Sequence, residues 1–223
     1  QRDSNEPVRV VFELTEYPRA EVPGIDSLTV AIDDCRRNMA TQSENSQKEI
    51  KTAYSTAKHK NIRVLTISDY GTNGMEGTFH TYLKTTGQSD GSHSDRGGSH
   101  GLGKSAPIVL SKLRTIIVSS VWKDKKAQKL TEAIQGRTTL MSRKIDGSTK
   151  TFNNIGYWGG DAYSSIKSAE HSYPWINRQH GSIGTSIHVL GFGPPSFDTW
   201  EKELIGFAMV TYYPAFLRGG LIL

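Results

Sequence analysis

The run Asn61-Ile-Arg-Val-Leu-Thr-Ile-Ser-Asp-Tyr-Gly-Thr-Asn-Gly-Met75 decides how the rest of the chain is read. Its first eight residues, through Ser68, are rich in β-branched and aliphatic side chains and predict a strand. That strand runs directly into Asp69, then into a turn-forming stretch with Gly71 and Gly74. A carboxylate at a strand end can present a hydrogen-bond acceptor. Glycines beside it let another group approach the backbone, because they carry no Cβ.

Working outward toward the N-terminus, Val8 to Leu14 predicts a second strand, and Pro18, Pro23 and Gly24 break the chain after it. Asp26 or Ser27 can cap a helix running to about Met39, with Leu28, Ala31, Ile32 and Cys35 on one stripe. Asn45 to Lys58 predicts a second, more polar helix. Toward the C-terminus, Phe79 to Lys84 predicts a short helix. From Thr85 to Gly103 the chain is Gly, Ser, Thr, His and Asp with almost no apolar residue. Loops this long inside a compact domain are uncommon and are usually functional or mobile. Lys104 to Lys112 then reads as a helix. Arg114 to Trp122, Gly136 to Ile145 and Thr151 to Trp158 read as successive strands, with Asp146-Gly147 as the turn between the last two. Lys123-Asp-Lys-Lys reads as a solvated loop tip between strands. Gly184 to Phe192 predicts another strand, Phe197 to about Tyr213 a helix, and Gly219 to Leu223 the start of one more strand. No repeat or linker interrupts the order, which predicts a single α/β domain.

Composition bounds the function. The chain has 223 residues, of which 35% are hydrophobic and 22 are glycine, with a mean hydropathy of −0.48. No stretch approaches the ~18 apolar residues of a spanning helix. The most apolar segment, Ile205 to Leu217, is broken by Thr211 and Pro214. The opening residues Gln-Arg-Asp-Ser-Asn-Glu carry no signal-peptide pattern. A single cysteine, Cys35, excludes an internal disulfide framework and a cysteine-based zinc site, and points to the cytoplasm. A net charge of +5 permits contact with nucleotide phosphate or DNA without requiring it. His93 and His100 read as polar loop residues. Trp158, Trp175 and Trp200 read as packing residues, and Cys35 as core filler.

Gly98-Ser-His-Gly-Leu-Gly-Lys104-Ser105 fits the P-loop pattern, in which backbone N–H groups cradle phosphates and the Ser holds Mg²⁺. A P-loop leaves a buried strand, whereas the residues before Gly98 are a polar loop. The strand ending in Asp, at Asp69, also precedes it rather than following.

The order of motifs resembles the GHKL ATPase family, which includes the ATPase component of DNA gyrase, MutL, the ninety-kilodalton heat-shock chaperone and histidine kinases. The resemblance spans Val8 to Leu190 and rests on three spaced features: Asp69 with Gly71, Gly74 and Met75; the glycine-rich Gly98–Ser105 segment; and the strand opening Gly184-Thr185. It implies a Bergerat-type α+β sandwich, with a mixed, largely antiparallel sheet and helices on one face, over the single domain 1–223 with an ATP lid at 85–103. It implies ATP and Mg²⁺ as ligands. Asp69 would accept the adenine amine, a preference worth ~1–3 kcal/mol or more against guanine. Thr185 would bond Asp69 or a nearby water. Gly98, Gly101, Leu102, Gly103, Lys104 and Ser105 would hold the phosphates at a helix start. Closure over nucleotide would drive homodimerisation or engagement of DNA or a partner protein, with no membrane involved.

MutL-like and chaperone-like bacterial members look nearest, some of them resembling components of anti-phage, antiviral defence. No phospho-acceptor helix of a histidine kinase is seen. Two departures stand out. The family writes D-x-G-x-G, whereas the segment here is one residue longer before its second glycine. The family's helix with a water-activating Glu and a Mg²⁺-binding Asn is expected upstream of Val8, leaving the general base unaccounted for. Asp34 and Asn38 share its spacing but follow the first strand. A P-loop NTPase and a non-catalytic nucleotide- or DNA-binding module are the alternatives.

Overall fold

The computed structural model describes residues 7–84, 106–144, 151–178, 182–194 and 196–223. Strand β1 (Val8–Pro18) is followed by helices α1 (Ile25–Arg37) and α2 (Glu44–Ala57), then by β2 (Asn61–Tyr70). Short helices α3 (Phe79–Lys84) and α4 (Ala106–Leu110) lead to the long strands β3 (Ser111–Lys123) and β4 (Leu130–Thr139). Three short strands follow, β5 (Arg143–Lys144), β6 (Thr151–Phe152) and β7 (Ile155–Trp158). The chain then passes through β8 (Gly184–Phe192), α5 (Trp200–Thr211), α6 (Tyr213–Leu217) and β9 (Leu221–Ile222). Seven strands form one sheet in the order β7-β4-β3-β8-β2-β1-β9. Only the β1–β9 pairing is parallel. The mixed, largely antiparallel α+β architecture predicted from the sequence is therefore present.

Strand alternation sends each strand's side chains to two faces, and each face has its own core. On one face, Ile62, Val64, Leu113, Ile117, Ile134 and Leu190 pack against Ile25, Leu28 and Ile32 of α1 and Ala53 and Ala57 of α2. Each Ile, Leu or Val side chain buried this fully contributes about 1.5–3 kcal/mol. On the other face, Leu65, Ile116, Val118 and Val189 pack against Phe79 and Leu83 of α3, Ile108 of α4 and Trp200 of α5. Helices α1 and α2 thus share one face, while α3, α4 and the start of the 12-residue α5 lie on the other, so the helices are not confined to one face as the sequence reading expects.

Several element bounds differ from the sequence reading. Strand β4 begins at Leu130 rather than Gly136, because the Asp124 carboxylate accepts the N–H groups of Lys126 and Ala127 (2.8 and 2.7 Å) and closes a tight turn after β3. The helix expected to Lys112 stops at Leu110, where the Ser111 hydroxyl donates to the Leu190 carbonyl and Ser111 pairs with Phe192. The strand expected over Thr151–Trp158 is split at Asn153-Asn154, where the Asn153 side chain takes the Asn154 N–H (2.7 Å). The Asp146-Gly147 turn lies outside the described residues. Helix α1 starts after Gly24, not at an Asp26 or Ser27 cap. A Cβ on Gly24 would stand 2.9 Å from the Trp158 ring, so the helix entry packs against β7 and leaves no room there. Among the described residues no helix is long and apolar enough to cross a membrane.

Candidate functional site

The β2–β8 register pairs Ser68 with Ser186 and, one step further, sets Asp69 opposite Thr185. Asp69 shares its strand face with Leu65 and Ile67, and Thr185 shares its own with Ile187 and Val189, all on the α3–α4 side. One carboxylate oxygen of Asp69, Oδ1, accepts the Thr185 N–H and the Thr72 hydroxyl, both at 2.7 Å. The other oxygen, Oδ2, receives no hydrogen bond from the described residues. Next on the same face, the Ser120 hydroxyl of β3 meets the Thr185 hydroxyl at 3.1 Å and accepts the Met75 N–H at 3.0 Å. Three adjacent strands and the Gly71–Met75 segment therefore meet at one point.

The glycines have reasons internal to the fold. Gly71 and Gly74 have φ of +71° and +64°. A Cβ on Gly71 would fall 2.8 Å from the Pro7 carbonyl oxygen, and one on Gly74 would fall 2.3 Å from that of Val121. Their backbone is thus packed against the protein's own chain. Gly184 abuts the candidate site itself: with φ of +138°, its Cβ would lie 2.4 Å from the Asp69 carbonyl oxygen and 2.6 Å from Asp69 Oδ1. Only glycine lets β8 come this close to the carboxylate.

Arg178 was not legible as part of this cluster. It is buried, and its Nη2 donates to the Asp69 carbonyl (2.6 Å), its Nη1 to Ser186 Oγ (2.9 Å) and its Nε to the Ser182 carbonyl (3.0 Å). Its guanidinium also lies 4.8 Å from the Tyr70 ring centroid. Burial pushes its pKa below the ordinary value, while the Asp69 carboxylate and Tyr70 oppose that shift. The effect is a clamp that ties the end of β2 to the start of β8. Ser120 and Thr72 complete the set that sequence reasoning left out, whereas Gly184 was read as the residue that opens the strand with Thr185.

On the opposite, largely apolar face, a buried polar patch lies around His188, Thr66, Ser68 and Ser186. His188 is fully buried; its Nδ1 lies 3.0 Å from the Thr66 hydroxyl, and the Trp175 ring packs edge-on against it. Complete burial, helped by the nearby Arg178 charge, pushes its pKa down to about 4. Trp175 also stacks on Tyr17 at 4.3 Å and donates to the Glu21 carbonyl, a packing role.

The remaining predicted residues fall elsewhere. Gly98, Gly101, Leu102, Gly103, Lys104 and Ser105 lie outside the described residues, as does the segment 85–103. The elements that flank them, α3 and α4, both pack on the face that carries Asp69. Asp34 is on α1 and Asn38 caps its C-terminal end, over the other face: Asp34 lies 3.8 Å from Arg143, and Asn38 donates to the Asp34 and Lys144 carbonyls. Both are thus across the sheet from Asp69. Among the described residues no group of three His, Cys, Asp or Glu side chains converges to hold a metal ion. No family model, curated protein or solved structure matches the chain.

Proposed function

We propose that the chain is an ATP-binding switch domain of GHKL type, in which Asp69 reads adenine and the Gly98–Lys104 segment holds the phosphates. The observation that carries the reading is the pairing of Asp69 with Thr185 across β2 and β8. The carboxylate is fixed through Oδ1, and no described residue donates to Oδ2. An exocyclic amine meets that acceptor, whereas a carbonyl in the same position repels it. The flanks of residues 85–105 lie on the same sheet face, which is where a phosphate-holding segment has to start and end. Mg²⁺ would arrive with the nucleotide, ligated mainly by the phosphate oxygens. Among the described residues no side chain around Asp69 is placed as a general base, and the proposal concerns nucleotide binding and switching, with hydrolysis as a further step to be assayed.

The test is calorimetric titration with a non-hydrolysable ATP analogue and Mg²⁺, for wild type and Asp69→Asn. The expected result is binding that discriminates ATP from GTP by at least about tenfold and that weakens by a similar factor in the variant. Tight binding that survives Asp69→Asn but is abolished by Lys104→Ala would overturn the reading in favour of a P-loop. Salt-dependent DNA binding indifferent to nucleotide would favour a non-catalytic module.

A further inference from the structure

Strand β3 carries a bulge near its start, where its register with β8 shifts between Ser111 and Thr115. Within the bulge Arg114 has φ of +51°, a left-handed conformation that residues other than glycine seldom adopt. Hydrogen bonds hold the distortion in place. The Ser111 hydroxyl accepts the Thr115 N–H at 2.9 Å, and the Thr138 hydroxyl of β4 donates to the Arg114 carbonyl at 3.3 Å. Bulges re-aim side chains, and backbone strain gathers at ligand clamps. Here the side chain of Arg114 reaches across to α2, where its Nη2 stands 2.7 Å from Glu49 Oε2. The Glu49 side chain is 59% exposed, so this ion pair is weak on its own. It is also incomplete. Among the described residues, Nε and Nη1 of Arg114 and Oε1 of Glu49 have no further partner.

The pair stands beside a cavity of about 280 Å³ at the end of β4. Much of its wall is apolar. Ile32, Ala53 and Ile108 are buried there, and Ile50, Leu140 and Met141 join them. The charged residues on the wall are Arg114 and Glu49, of opposite sign. Thr139, also on the wall, has a buried hydroxyl with no hydrogen-bond partner. Buried polar atoms are ordinarily satisfied, so this one marks room for a polar atom of a ligand. An apolar cavity of about 150 Å³ holds benzene. The larger volume here takes a side chain of leucine or phenylalanine size with a polar head beside it.

We propose that this cavity binds a free amino acid with an apolar side chain. The ligand's carboxylate takes the spare N–H groups of Arg114, its ammonium takes Glu49 Oε1, and its side chain lies among Ile32, Ile50, Ala53 and Met141. A zwitterion matches the Arg114–Glu49 pair charge for charge, and the assembly carries no net charge into the cavity. A simple carboxylate meets repulsion from Glu49, and a simple amine meets repulsion from Arg114. A peptide terminus brings only one of the two charges. The proposal is independent of the nucleotide reading, because six residues of β3, about 20 Å of strand, separate Arg114 from Ser120 beside Asp69.

The test titrates the full chain with L-leucine and L-phenylalanine and reads methyl NMR signals. At least one of the two should shift the Ile50 and Met141 methyls saturably at millimolar concentration, with Met75 and Met209 unmoved. Phenylalaninamide, which lacks the carboxylate, and hydrocinnamate, which lacks the amine, should each bind at least about tenfold more weakly than phenylalanine. Arg114→Gln and Glu49→Gln should each weaken amino-acid binding by at least about tenfold. The analogue series is read on the wild-type chain, so it decides even where a variant fails to fold. Three outcomes would overturn the proposal. One is no saturation by either amino acid up to about 10 mM. The second is binding of the amide or of hydrocinnamate as tight as that of phenylalanine. The third is a set of shifts centred on Met75 or Met209 rather than on Met141.

Discussion

At the scale of single residues, the site is held by contacts that tolerate little change. Gly184 is the clearest case. Alanine there needs a φ of +138° and places a methyl 2.4 Å from the Asp69 carbonyl oxygen. Gly184→Ala should cost about 2 kcal/mol or more, read as a lower urea midpoint. Under the proposed function it should also loosen nucleotide binding, because Asp69 moves with the clash. His188 makes a separate prediction about pH. Its folded pKa, about 4, lies below the ordinary histidine value of 6.5, so the unfolded chain takes up a proton first as pH falls. Its contribution is complete above pH 6.5 and is lost on acidification toward pH 4, by roughly 3 kcal/mol. Urea titrations at stepped pH should show that slope, and His188→Gln should flatten it whatever its effect at neutral pH. Asp69 itself was legible because an acidic residue ended a strongly β-prone run before two glycines. Arg178 was not, since its partners Asp69, Ser182 and Ser186 come together only when β2 and β8 pair.

At the scale of elements, hydrophobic period and turn residues located nearly every strand and helix of the described chain. The errors lie where side chains rather than propensity set a boundary. Asp124 ends β3 and starts β4 through two turn hydrogen bonds, and Ser111 draws the last residues of a predicted helix into β3. Cap chemistry also separates α1 from α2. Helix α1 begins after a left-handed Gly24 with no side-chain cap, while α2 is capped by Ser43, whose hydroxyl accepts the Ser46 N–H at 3.3 Å. Ser43→Ala should therefore lower stability by about 0.5–1 kcal/mol, measurable by denaturant titration, with the fold unchanged. Arg19 works between elements. It donates to the Ala57 carbonyl of α2 and to Thr29 of α1, and pairs with Asp26 at 2.8 Å. Nothing in the local sequence distinguishes it from any arginine after a proline.

At the scale of the whole molecule, one seven-stranded sheet separates two faces with different tasks. One is closed over by α1, α2 and the segment around Trp175; the other carries Asp69, Thr185, Ser120 and Met75. The C-terminal helices add an apolar exterior in which Phe207 and Val210 are 68% and 82% exposed. Side chains this free contribute little to folding, so Phe207→Ser with Val210→Ser should shift the unfolding free energy by less than about 0.5 kcal/mol. The sequence by itself determined the secondary-structure class, the strand that ends in Asp69 and the glycines that follow it, because period, β-propensity and turn chemistry are local properties. Only the tertiary structure decided that Thr185 faces Asp69, that Arg178 ties Asp69 to Ser186, and that Asp34 and Asn38 lie across the sheet from them. Strand order and register bring together residues more than a hundred positions apart, and hydrogen bonds across such distances leave no trace in local spacing.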